Sequence, residues 1–110
     1  MYSHDDYNKL IDRTVAEIKQ LSTLKGGEYA RDNDRLDNFR RNGEALGLPM
    51  EVVWSVYYAK HHDAIMTYVR DILTGTKRRR AERIEGRIDD MIVYLLLFKA
   101  MLEEREKNTL

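Results

Sequence analysis

Apolar side chains recur at Tyr7, Leu10, Ile11, Val15, Ile18 and Leu21, steps of three and four that keep one face of an α-helix apolar. Ser3 is placed to cap that helix, and Asp5 and Asp6 fall in its positive first turn. The helix is predicted to stop in "KGGEY", where Gly26 or Gly27 supplies a left-handed residue. A polar connection, "EYARDNDR", follows. A short helix is predicted from about Asp34 to Leu46, with Leu36, Phe39 and Leu46 on its inner side and Gly47 closing it. Pro49 suits the first turn of the next helix, where its missing N–H is not needed. Val53, Val56, Tyr57, Lys60, Ala64, Tyr68 and Ile72 share one broad face of that helix, which fades at "LTGTK". "KRRR" (Lys77 to Arg80) reads as a basic linker or a helix start. The last helix is predicted over roughly Ala81 to Glu104, with Ile84, Ile88, Met91, Ile92, Leu95, Phe98 and Leu102 facing inward. Its "IVYLLLF" has the make-up of a buried strand, but the flanks keep a helical period and lack turn residues, which favours helix.

"MIVYLLLF" is apolar all round, as a helix buried on several sides is. Three long helices and one short one offer little cover for it, so a second subunit is expected to cover the remainder. The expectation is one all-α domain over residues 1–110, a helical bundle completed by oligomerisation. There is no internal repeat and no low-complexity tract.

Composition narrows the partners. The chain has 110 residues, 43% hydrophobic and 35% charged, which describes one small globular domain with a limited core. Nineteen Lys and Arg cancel nineteen Asp and Glu, so any site for phosphate or nucleic acid has to be a local patch. Without cysteine there is no disulfide framework and no thiolate metal site. "MYSHDDYNKL" is acidic and polar, unlike a signal peptide, and the longest apolar run is too short for a bilayer. A cytoplasmic protein without membrane contact is expected.

Three groups of residues carry candidate chemistry. Glu85 and Asp89, four apart, share a side of the last helix and suit one hard cation, while Asp90 points elsewhere; the alternative is a solvated acidic first turn that complements the helix dipole. In "KHHD", His61 and His62 point about 100° apart on a helix, so one face does not present both to a metal. One histidine is expected in solvent and the other beside a carboxylate; an Asp63–histidine pair has no nucleophile signature next to it. Lys25, Tyr29, Arg31, Arg35, Asn38 and Phe39 cluster around the first loop and the short helix. Arginine grips phosphate, Asn reads base edges or sugars and aromatics stack on bases. The competing reading makes Phe39 core and pairs the arginines with Asp32, Asp34 and Asp37. A nucleic-acid role for "KRRR" is not expected, because a charge run is usually a solvated face.

Taken together, "KGGEYARDNDRLDNF", "VVWSVYYAKHHDAIMTY" and "IEGRIDDMIVYLL" resemble a group of small phage proteins. That group is related to the family called nucleotide modification associated domain 1 and, more distantly, to the MazG-like all-α nucleotide pyrophosphohydrolases. The resemblance runs from about Lys25 to Leu102. It implies helical bundles, often dimeric or larger, and ligands drawn from nucleotide metabolism. MazG-like enzymes hold magnesium with an ExxE pair and an ExxD pair on two helices. Here those pairs fall on Lys60-x-x-Asp63 and Arg87-x-x-Asp90, with a cation in the first place of each. The exchange suits direct grip on phosphate better than grip on magnesium.

The expectation is therefore non-hydrolytic binding of a nucleotide or nucleotide-derived signal, without a cofactor, in an oligomeric phage protein that sequesters a host defence signal. The ligand would touch Lys25, Tyr29, Arg35, Asn38, Phe39, Lys60, His61, Asp63 and Arg87, with Lys60 on the inner face of its helix. The first alternative is a metal-dependent nucleoside triphosphate pyrophosphohydrolase using Asp63, Glu85, Asp89 and Asp90, with magnesium at Glu85, Asp89 and Asp90. The second is a protein-interaction module.

Overall fold

Ser3 and Asp6 cap the first helix reciprocally. The Asp6 N–H donates to Ser3 Oγ at 3.0 Å and the Ser3 N–H donates to Asp6 Oδ2 at 3.0 Å, a capping box with aspartate in the acidic place. Those bonds hold the Asp6 carboxyl below its ordinary range. The structure is a computed structural model. It describes residues 1–29 and 33–109, and the side chains of all of these except 25–29 and 109. Four helices are present among the described residues: α1 (His4–Tyr29), α2 (Asp37–Leu46), α3 (Met50–Thr74) and α4 (Ile84–Thr109). They show no strand, and no helix is long and apolar enough to cross a membrane. The all-α expectation holds.

Several boundaries differ from the expectation, and α4 runs Ile84–Thr109 rather than from about Ala81 to Glu104. α1 runs on through Gly26 and Gly27 to Tyr29; glycine weakens a helix interior by about 1 kcal/mol but does not by itself end it. α2 begins at Asp37 rather than Asp34, because Asp34 turns its Oδ1 onto the Leu36 N–H at 3.1 Å and stays outside the helix. The predicted stop at Gly47 is found, with φ 68° and the Leu48 N–H donating to Gly43 O at 2.9 Å. Pro49 stands at the N-cap of α3 with φ −59°, and a second left-handed glycine, Gly75, closes α3.

The core forms where α2, the start of α3 and the end of α4 meet. Leu36, Phe39, Val53 and Met101 are buried together, with Trp54, Tyr94, Leu97 and Phe98 packed against them. Arg40 ties α2 to α4 by bonding both Asp34 and Glu104, and Arg105 bonds Glu51 at 2.6 Å. Leu46, expected inside, is 66% exposed.

The inner stripes of the long helices are rotated from those predicted. On α3 the buried positions are Val53, His61 and Asp71, whereas Val56 and Ile72 are 67% and 68% exposed. On α4 they are Asp90, Val93 and Met101, whereas Ile88, Leu95 and Leu102 are exposed. The cause is polar: His61, Asp71 and Asp90 occupy buried positions through partners, so a count of apolar residues points to the wrong turn of each helix. Asp71 receives Arg78 at 2.8 Å and Arg80 at 2.7 Å, which hold its carboxyl below the ordinary range. "KRRR" is thus a strap between α3 and α4 rather than a helix start.

Candidate functional site

The indole Nε1 of Trp54 donates to the Tyr94 carbonyl at 2.7 Å and sets the register of α3 against α4. Seven residues on along α3 and seven back along α4, two turns each way, His61 and Arg87 come level. Arg87 Nη1 lies 3.4 Å from His61 Nδ1, and Asp90 Oδ2 lies 3.8 Å from the same nitrogen. The Tyr94 ring lies 5.3 Å from the imidazole. His61 and Asp90 are buried; the Arg87 side chain is 22% exposed and reaches Glu82 Oε2 at 3.4 Å.

Arg87 differs from the other arginines that serve the packing. Arg40, Arg78, Arg80 and Arg105 each hold a carboxylate at 2.8 Å or closer. The nearest carboxylate to Arg87 stands at 3.4 Å and belongs to Glu82, whose side chain is 45% exposed. A looser, wetter partner is exchangeable for an incoming anion, which a guanidinium binds in a bidentate manner. Beside the cluster, aromatic rings form a column on α3. Tyr58 of α3 and Phe98 of α4 both stack on Trp54, at 4.9 and 4.6 Å, and His62 continues the row 6.3 Å beyond Tyr58. Trp54 and Tyr58 are half-buried and His62 is exposed.

The other candidates are dispersed. Lys60, expected on the inner face, is exposed, since burial of His61 turns its neighbour about 100° away. Asp63 is 80% exposed and lies 3.8 Å from His62 Nδ1. Arg35 donates to the Ser22 carbonyl. Asn38 is half-buried and accepts from Asn42 through its carbonyl at 2.8 Å and its Oδ1 at 3.1 Å. Phe39 is core, 4% exposed, with Tyr57 and Tyr94 edge-on to it at 6.0 and 6.2 Å; it is not open for stacking on a base. The side chains of Lys25 and Tyr29, and all of Arg31, lie outside the described residues. No hydrogen bond or ion pair joins Lys60, Arg35, Asn38 and Arg87 to one another among the described residues.

The carboxylates separate as their spacing implies. Glu85 and Asp89 face the groove between α1 and α4, while Asp90 turns to His61. Asp89 titrates above its ordinary range, chiefly through desolvation and then through the charges of Glu17, Asp90 and Glu85. Glu17, on α1, is a neighbour that its exposed-looking sequence context did not single out. Asp63, Glu85, Asp89 and Asp90 do not converge, and no group of three or more His, Asp or Glu among the described residues is arranged to hold a metal.

Glu82 and the Trp54–Tyr94 link had no distinguishing signal in the sequence. Their roles depend on how two helices meet. No family model, characterised protein or solved structure matches this chain.

Proposed function

We propose that the protein binds a nucleotide or nucleotide-derived signal at the seam of α3 and α4, gripping a phosphate with Arg87 and not hydrolysing it. The observation that carries the reading is the half-buried Arg87 guanidinium, held only loosely by Glu82 and backed by His61. The phosphate displaces Glu82 from Arg87, and the base lies against the open end of the column at Tyr58 and His62. The turning of Asp90 toward His61, away from Glu85 and Asp89, supports binding over hydrolysis. A phage protein of this kind, in the host cytoplasm, would sequester a defence signal such as a cyclic dinucleotide or an ADP-ribose derivative.

One observation favours a second reading. Asp89 is crowded by Glu17 and Glu85, and a divalent cation relieves such crowding, as a pyrophosphohydrolase requires.

The two separate in one experiment. The protein is screened by thermal shift against nucleoside triphosphates, cyclic dinucleotides and ADP-ribose, with and without magnesium, and the recovered ligand is chromatographed. Binding to the native state alone, at a hundred times Kd, adds about 2.7 kcal/mol of stability. A raised Tm with intact ligand upholds the proposal. Magnesium-dependent release of pyrophosphate over many turnovers replaces it with the hydrolase.

A further inference from the structure

α1 packs on α4 and leaves a long groove of about 1000 Å³ between them. Its walls include Ile11, Val15 and Ile88, which are 44%, 59% and 43% exposed. Its lining comes from α1, α4 and the end of the strap that leads into α4. The whole chain exposes 8627 Å², whereas a compact monomer of 13.0 kDa exposes roughly 6300 Å². Its radius of gyration is 16.7 Å, against about 13 Å for a compact domain of this length. The surplus of roughly 2300 Å² per chain is on the scale that a permanent homodimer buries.

The rim of the groove also argues for a copy of itself. It carries Arg13 and Arg83 beside Glu17, Glu82, Glu85 and Asp89, so both signs are present on one face. Among the described residues, Arg13 and Asp89 have no ionic partner within their own chain. A face with an unpaired cation and an unpaired anion is complementary to the same face turned about a two-fold axis. An apolar partner without charges would leave Arg13 and Asp89 buried and unpaired.

We propose that the α1–α4 face docks on the same face of a second copy of this chain, closing the two grooves into one four-helix bundle. Equilibrium sedimentation of the full chain at micromolar concentration is expected to give twice the 13.0 kDa mass. Val15→Glu puts a carboxylate into the buried seam and weakens association by roughly a hundredfold or more, with helicity by circular dichroism unchanged because Val15 is exposed in the single chain. Ile72→Glu, on the exposed side of α3, leaves the dimer intact. A second measurement uses the absence of cysteine: a nitroxide on Val15→Cys is expected to show dipolar coupling between subunits. A monomer at every concentration overturns the proposal. So does any assembly that Val15→Glu leaves intact, or a dimer without spin coupling at Val15→Cys.

Discussion

His61 Nδ1 lies 3.8 Å from Asp90 Oδ2, between two helices and out of solvent. Each residue keeps the other's polar atoms from being stranded in an apolar seam. Removing one partner leaves the other desolvated, which costs on the order of 1–3 kcal/mol. Asp90→Leu and His61→Leu are each expected to lower stability by that amount in urea unfolding. The double variant His61→Leu, Asp90→Leu is expected to lose less than the sum, because no polar atom is left without a partner. Strict additivity across the cycle would mean that the two do not interact.

The pair also marks where the sequence is legible and where it is not. Caps and stops at Ser3, Gly47 and Pro49 are local, so their residues declare them. Helix type in "MIVYLLLF" follows from its flanks. The buried stripe of α3 is another matter: Val56 and Ile72 are apolar yet exposed, while His61 and Asp71 are polar yet buried. That choice is made by Asp90 on another helix, and by Arg78 and Arg80 in the strap beyond the end of α3. Arg87 was singled out only through the family resemblance, and its loose tie to Glu82 depends on how the strap enters α4.

Asp89 predicts a pH effect with a definite sign. Desolvation, then Glu17, Asp90 and Glu85, raise its folded pKa above the ordinary value of 3.8. The folded state therefore binds its proton more tightly than the unfolded state does, and stability falls as pH rises from that ordinary value through the raised one. At neutral pH the charged carboxylate is a standing penalty. In the Val15→Glu background, which keeps the α1–α4 face of the chain uncovered, Asp89→Asn is expected to raise Tm at neutral pH. Below the ordinary carboxylate range the gain should vanish, since wild-type Asp89 is then protonated in both states. An equal gain at both pH values would assign the effect to something other than charge.

The corner between α2 and α3 predicts a contrast between two glycines. A Cβ on Gly43 would stand 2.7 Å from the Leu48 carbonyl oxygen, a backbone atom that the Gly47 turn holds in place. Gly47 has open space but a φ of 68°. Gly43→Ala is expected to cost about 1–3 kcal/mol through overpacking, and Gly47→Ala about 1 kcal/mol through its left-handed backbone. Gly47→Asn, which tolerates that backbone, should recover part of the loss, whereas no side chain recovers position 43. Denaturant midpoints for the three variants decide the matter.

The last prediction separates Arg87 from Lys60, two cations that the family resemblance places on equal footing. Arg87 is half-buried at the seam and Lys60 is exposed. A charge-assisted bond to phosphate is worth about 1.5–3 kcal/mol, and low exposure keeps it from being screened. Arg87→Ala should therefore weaken nucleotide binding by roughly ten- to a hundredfold. Its effect on stability should stay within about 1 kcal/mol, because the tie to Glu82 is loose. Arg87→Lys keeps the charge but loses the planar fork, and should recover only part of the affinity. Lys60→Ala should behave like Lys77→Ala in the strap, each acting through screened attraction alone. Isothermal calorimetry on the four variants, with the ligand found by thermal shift, checks the order. If Lys60→Ala weakens binding as strongly as Arg87→Ala, the phosphate sits outside the seam, on the exposed side of α3. If Arg87→Ala matches Lys77→Ala, Arg87 only packs α4 against His61, and the phosphate site lies elsewhere.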